Sequence, residues 1–328
     1  MKKFKAIFDN LDIKVTLVSA WIKFKKGKTR RTDIKQFGGN VDHNLKAIAE
    51  SLVQKTYRHD SYKAFTILDP KLRQIHKATV KDRVVHQFVF DILNPIFEPT
   101  FIFDSYSCRI GKGTHKGIER LTTIARRVSA NNTKPCFILK CDIRKFFASV
   151  DHAILLQLIK RKIEDDKIIW LVERIIRSRS PGLPLGNLTS QLFGNIYMNE
   201  LDWFIKHRLR IPFYIRYTDD FVIVCNSREQ LTIWLEKIRD FLRLRLKLEL
   251  HPNKVTIRKY HWGIDFLGYI QHPTYRLLRA KIKKRIFRKI IKGVTEPALQ
   301  SYLGVLGHAN AKALENELKN LFWFNHLE

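Results

Sequence analysis

Hydrophobic positions along the chain switch between helical and alternating spacing, and the switches mark most of its elements. NLKAIAESLVQKTY (44–57) has the helical period, and FTIL (65–68) reads as a strand. LRQIHKATVKDRVVHQFVFDIL (72–93) reads as the return of a hairpin running into a buried helix. CFILKCDI (136–143) has the length and apolar continuity of a buried strand. AILLQLIKRKI (153–163) follows as a helix capped by Asp151 or Ser149. Ile168, Leu171, Val172, Ile175 and Ile176 share one face of a helix over 167–178. PGLPLGNLTS is a glycine-proline loop before a helix from about 189 to 209. RYTDDFVIV (216–224) reads as a hairpin, 228–246 as a helix, and VTIRKY and GIDFLGYI as short strands. RLLRAKIKKRIFRKIIK (276–292) predicts a helix with Ile282, Ile286, Phe287 and Ile290 on its packed stripe.

Charge changes the picture. The 328 residues are 45% hydrophobic, ample for a large core, yet 61 Lys and Arg face 31 Asp and Glu, a net charge of +30. Such a surplus calls for a polyanionic partner, nucleic acid or an anionic membrane. Basic residues run the whole length with acids among them, which fits a folded protein with an extended basic channel. The segment 22–31 holds six basic residues, and 276–292 holds nine with no acid. The second is read either as a solvated face or as a helix along a phosphate backbone, and the net charge favours the phosphates. MKKFKAIFDN lacks the apolar stretch of a signal peptide. VHQFVFDILNPIFEPTFIF comes closest to a membrane span but is broken by Asp91, Asn94, Pro95, Glu98 and Pro99, so no membrane is expected. Cys108, Cys136, Cys141 and Cys225 show no CxxC spacing, so reduced thiols and a cytoplasmic location are expected.

Two acids then stand out. Asp219 and Asp220 interrupt an apolar-aromatic run, where a strand gains nothing from adjacent like charges. Thr-Asp-Asp is ordinary turn chemistry, but Asp142 ends another strand about 77 residues earlier. In-line phosphoryl transfer by two metal ions needs carboxylates from more than one strand at a shared sheet edge. Mg²⁺ takes one or two carboxylates and completes its shell with phosphate oxygens and water.

These pieces resemble a reverse transcriptase. YTDD (217–220) looks like the YxDD box of the palm, and CDIRKFFASVDH (141–152) like the preceding palm motif with the first metal-binding aspartate. GLPLGNLTSQLFGNIYMNELD (182–202) looks like the loop and helix under the templating base. HPNKVTI (251–257) and GIDFLGYI (263–270) look like the lysine-bearing motif and the primer-grip hairpin. LRQIHKATVKDRVVHQ (72–87) and SYSCRIGKGTHKGIERL (105–121) look like fingers motifs. Group II intron and retron-type enzymes usually carry QGxxxSP in the templating loop, where this chain has Leu185-Gly186-Asn187-Leu188-Thr189-Ser190-Gln191. That LGxxxSQ form is similar to reverse transcriptases of diversity-generating retroelements, which copy a template RNA into error-rich cDNA with a small basic accessory protein.

The resemblance implies an α+β right-hand polymerase: a basic N-terminal extension (1–30), fingers (31–135), a palm of antiparallel sheet plus helices (136–272) and a helical thumb (273–328). It implies two Mg²⁺ ions, with Mn²⁺ as a substitute, at Asp142, Ile143, Asp219 and Asp220, the last more peripheral. Lys254 takes the place of the general acid to leaving pyrophosphate. Phe147 takes the place of the ring under the deoxyribose that excludes a 2′-hydroxyl, with the amides of Lys145 and Phe146 toward the phosphates. Arg73, assisted by Lys71, matches the triphosphate clamp, and Leu185 and Gly186 complete the dNTP positions. Leu185 replaces a glutamine that can hydrogen-bond the incoming sugar, which predicts looser nucleotide selection. Template and primer contacts fall on Arg109, Lys112, Gln191, Tyr217, Thr218, Phe266, Leu267, Gly268, Lys283, Lys284 and Arg288.

The expected activity is RNA-directed DNA synthesis from dNTPs on a template RNA, with a cDNA or primer 3′-end, serving error-prone retrohoming in a bacterial, archaeal or phage-infected cell. The alternatives are an antiphage-defence or retron-like reverse transcriptase, and a non-catalytic RNA-binding protein on the same fold.

Overall fold

A computed structural model describes residues 3–68 and 72–324. The chain divides into two compact units, one of residues 1–103, 143–209 and 238–250, the other of 104–142, 210–237 and 251–328. Lys71 lies outside the described residues.

The first unit is mainly helical, and side-chain caps set where its helices start. Asp12 accepts from the Val15 amide and opens the helix Ile13–Lys25, which buries Leu17, Ala20, Trp21 and Phe24 at i, i+3, i+4 and i+7. The sequence pattern did not reveal this helix, because Val15, Val18 and Ile22 are exposed and blur the stripe. It packs on Val80–Phe97, whose first turn is closed by Thr79 and Asp82 bonding to each other. The expected hairpin is Lys63–Ile67 against Arg73–Lys77, with Phe65 opposite Ile75. Asp151, not Ser149, caps the helix His152–Lys160, and Asp165 caps Asp166–Arg177. Leu188–Trp203 is buried nearly all round and packs on Val80–Phe97. The helix expected to reach 209 widens at Phe204–Arg208 into a π-helical turn.

The second unit is built on a four-stranded antiparallel sheet in the order Tyr214–Tyr217, Asp220–Cys225, Phe137–Asp142, Thr256–Lys259. Ile138, Ile215, Val222 and Val224 share a core with Ile118, Leu121, Ile124 and Ala125 of the helix Thr114–Val128. A three-stranded sheet follows, Ile264–Phe266, Tyr269–Gln271 and Arg276–Leu278. Residues 276–278 therefore correct the expected helix: they form an edge strand, and the helix runs Ala280–Ile291. Its Ile286 and Ile290 are buried as the pattern required, alongside Leu299, Leu306, Leu318 and Phe322 of the last two helices. The four cysteines are free thiols, two of them buried. Among the described residues no helix is long and apolar enough to cross a membrane.

Candidate active site

Strand register, in the second unit alone, brings the three acids to one sheet end. Asp142 pairs with Asp220 as the last step of the antiparallel ladder that begins at Phe137 and Cys225. Asp219 stands in the two-residue turn between Tyr217 and Asp220, so the hairpin expected over 216–224 is present and its turn carries the acid. Thr218 takes a left-handed φ of 57°, which tightens the turn.

The turn is held from beneath by an arginine that sequence reasoning did not single out. Arg216 is fully buried, and its guanidinium donates to the Thr218 carbonyl at 3.0 Å. Its backbone bonds to Asp104 and Tyr106, so the 104–107 segment docks along this strand. The Thr218 hydroxyl donates to Ser107 at 2.6 Å, and Arg120 grips the buried Asp104 with two bonds. The signal was available: Arg216 is a charge inside an otherwise apolar strand, and such charges are retained only with partners.

Two lysines face the carboxylates. Lys254 Nζ donates to Asp142 Oδ1 at 2.8 Å, bringing together two residues 112 apart in sequence. Lys140 lies two residues before Asp142, hence on the same sheet face, and its ammonium is 3.9 Å from Asp220 and donates to the Asp265 carbonyl at 2.6 Å. Asp265 also pairs with Arg279. Burial pushes the Asp220 carboxyl up to about 7; Lys140 opposes this, while Asp142, Asp219 and Asp265 add to it. Asp220 Oδ1 is buried and has no hydrogen-bond partner among the described residues.

This donor set suits a hard divalent cation. Among the described residues no group of three or more His, Cys, Asp or Glu is placed to hold a metal ion. Magnesium sites of the substrate-assisted kind ask for less, one or two carboxylates with phosphate oxygens and water. The orphaned oxygen of Asp220 and the crowding of like charges are what an added cation would relieve.

The other expected contacts in this unit separate by exposure. Lys283, Lys284 and Arg288 are exposed on the C-terminal basic helix. Leu267 and Gly268 form the hairpin turn with φ of 50° and 95°, and the Gly268 carbonyl accepts from Arg279. Phe266, 1% exposed, is part of the core and presents no ring to a ligand. Arg109 donates to the Ser105 carbonyl, and Lys112 lies over the Tyr106 ring. Tyr217 is half-buried, its hydroxyl 3.5 Å from Thr114.

In the first unit the glycine-proline loop is fastened to the segment following Asp142 in the chain. The Leu183 amide donates to the Phe147 carbonyl at 2.6 Å, and Gly182 has φ of 72° where a Cβ would overlap the backbone at 147–148. Phe147 is partly exposed and meets the buried Phe146 edge-on. Lys145 is exposed with φ of 46°. The Leu185 carbonyl accepts from the His76 amide at 3.1 Å, and Gly186 lies against Ile75, so the hairpin bearing Arg73 is tied to the LGN loop. Arg73 itself is exposed and opposite Ile67. Gln191 is half-buried in the first turn of Leu188–Trp203.

Beside this loop lies a cavity of about 350 Å³, lined by Lys28, Arg31, Lys77 and Arg83 together with Gly186 and Asn187. Burial, then Arg83 and Arg31, lower the Lys28 pKa, while Lys77 and Arg83 both pair with Asp33 at 2.7 Å. Under the loop His86 bonds Thr189 through Nδ1 and His59 through Nε2, each at 3.1 Å. Burial, with His59 and Arg83 adding, drives the His86 pKa down to about 3.

Residues 54–271 match the family described as reverse transcriptase (RNA-dependent DNA polymerase). The chain is 26% identical over 241 residues to protein YkfC of Escherichia coli (strain K12), covering 61% of this chain and 63% of that one. It is 25% identical over 325 aligned positions to the group II intron-encoded protein LtrA of Lactococcus lactis subsp. cremoris, covering 75% of this chain and 53% of that one. The chain thus spans between about half and two-thirds of the length of these curated relatives. A solved apo telomerase from Candida tropicalis, truncated from the C-terminal domain, superposes with a TM-score of 0.52 at 12% identity, covering 70% of this chain and 59% of that one. The fold is that of a right-hand polymerase, and with the family match spanning most of its length the chain belongs to the reverse transcriptases.

Proposed function

We propose that this chain is an RNA-directed DNA polymerase that adds dNTPs to a 3′-hydroxyl on an RNA template. The observation that carries the reading is the convergence of Asp142, Asp219 and Asp220 on one end of a four-stranded sheet, with Lys254 on Asp142. Asp142 and Asp219, with the chain at Ile143, would hold Mg²⁺ or Mn²⁺, and Asp220 would stand behind them. When bound, the two ions would activate the primer hydroxyl and neutralise the triphosphate. Lys254, now on Asp142, would be released toward the leaving pyrophosphate and give it a proton. Phe147 would close the space where a 2′-hydroxyl would sit, and Arg73 would grip the triphosphate. The cationic cavity beside Gly186 supports an anionic strand there. Fingers at 31–135, palm at 136–272 and a thumb at 273–328 remain the functional division we assign, with 1–30 as a basic extension.

The departure at Leu185 supports the narrower reading, error-prone cDNA synthesis of a diversity-generating retroelement, in the cytoplasm and with a small basic accessory protein. Primer extension on a defined RNA template with sequencing of the cDNA tests both levels. Template-dependent extension with errors concentrated at adenines is expected. Faithful copying would contradict the narrower reading, and no extension by the chain with or without its accessory partner would contradict the broader one.

A further inference from the structure

The aromatic side chains at the open end of the Ile264–Gln271 hairpin have no role in the reading above. They stand at the opposite end of that hairpin from the Leu267–Gly268 turn, since Ile264 pairs with Gln271 there. Lys259, opposite Phe137, is at the far end of the main sheet from Asp142, roughly 17 Å along the strand. Trp262 is 62% exposed, with the Lys259 ammonium 5.8 Å from its ring. Next along the chain, Gly263 has φ of 82°, and a Cβ there would run into the His272 ring. Tyr275 stacks on His272 at 4.4 Å and 20°, and is itself 42% exposed.

The platform is stiff. The Tyr260 hydroxyl and the Gln271 amide both donate to the His272 carbonyl, and the His272 amide donates to that of Tyr275. Tyr275 forms one wall of a cleft of about 360 Å³ whose other walls include Arg126, Arg276, Thr122 and Asn310. Arg276 is fixed by Gln271 and by the His308 carbonyl, while Asn310 accepts from the Arg276 amide. Exposed rings on a rigid turn, with guanidinium groups at one side and hydroxyl and amide groups at hand, have the composition that stacks unpaired bases and binds their backbone. Thr122 and Asn310 add polar groups of the kind that meet a 2′-hydroxyl.

We propose that Trp262, Tyr275 and the adjoining arginine-lined cleft form a docking site for single-stranded RNA, separate from the polymerising centre. Bases stack on the outer face of Tyr275 and on Trp262, and Lys259, Arg126 and Arg276 meet the phosphates. The net charge of +30 favours this occupant over a protein surface. The site stands on its own residues and does not depend on the catalytic reading.

The test is the affinity of a labelled single-stranded RNA oligonucleotide for the full chain, with the same sequence as DNA in parallel. W262A/Y275A should weaken RNA binding by about tenfold or more, as loss of stacking does, and W262F/Y275F should restore most of it. Extension of a pre-annealed short primer–template should stay unchanged. D142N should abolish extension and leave this RNA affinity intact, so the two readings fail separately. RNA affinity of the variant within twofold of the parent, or parental affinity for the DNA equal to that for the RNA, overturns the proposal. If W262A/Y275A melts early, photocrosslinking of 5-iodouridine RNA to the parent chain decides. Adducts at Trp262 or Tyr275 support the site, and adducts confined to other peptides overturn it.

Discussion

The ammonium of Lys254 donates to Asp142 Oδ1 at 2.8 Å, so a side chain from the 251–257 segment occupies the carboxylate at the end of the strand Phe137–Asp142. The ammonium offsets the charge of Asp142, and in the proposed reaction it would be the proton donor to the leaving pyrophosphate. General acid catalysis contributes about 10²–10⁴-fold. Lys254→Met should therefore lower single-turnover extension by about 10²-fold, with the dNTP concentration at half-maximal rate little changed. A rate within threefold of the parent would remove Lys254 from the reaction.

Arg216 offers a test of how the turn is held. A buried guanidinium with partners is costly to disrupt because the groups left behind lose their compensation, typically about 3–5 kcal/mol. Arg216→Ala should destabilise the fold by about 3 kcal/mol or more, measured by urea unfolding. A loss under about 1 kcal/mol would mean the Thr218 carbonyl is satisfied in some other way.

Much of this was legible in the residues, and what was not has identifiable causes. CFILKCDI and RYTDDFVIV announced the strands because most of their residues are apolar and buried, and strand register brings Asp142 beside the turn that carries Asp219. Exposure hid the helix Ile13–Lys25, whose outer face carries Val15, Val18 and Ile22. The strand Arg276–Leu278 was concealed because its three residues continue the helical stripe that follows. Lys140 was overlooked although period-two spacing from Asp142 puts it on the same face. Burial of Arg216 and the His59–His86–Thr189 chain depends on residues distant in sequence, which no local pattern encodes.

His86 makes stability depend on pH with a definite sign. Its folded pKa of about 3 lies below the usual 6.5, so as pH falls the unfolded chain takes up a proton that the folded chain refuses. The contribution is complete above pH 6.5 and is lost as pH falls below it, by about 2 kcal/mol on reaching about pH 5. Urea midpoints at about pH 7.5 and about pH 5 should differ accordingly, and His86→Gln should flatten the difference. An unchanged pH dependence in that variant would locate the titrating group elsewhere.

Leu185 addresses fidelity. Restoring a polar side chain with Leu185→Gln should lower misincorporation opposite template adenine by about fivefold, the worth of one net hydrogen bond of roughly 1 kcal/mol. Sequenced cDNA with the parental error spectrum would show that Leu185 only packs beside the loop.

If Asp142 and Asp219 carry the chemistry, primer extension by Asp142→Asn and Asp219→Asn will report it. Each substitution keeps size and removes the charge that would hold a divalent cation. Loss of the several kcal/mol of charge stabilisation such a cation supplies predicts a fall of about 10³-fold or more in extension rate, with the fold intact by thermal melting. Extension within tenfold of the parent in either variant would contradict the account.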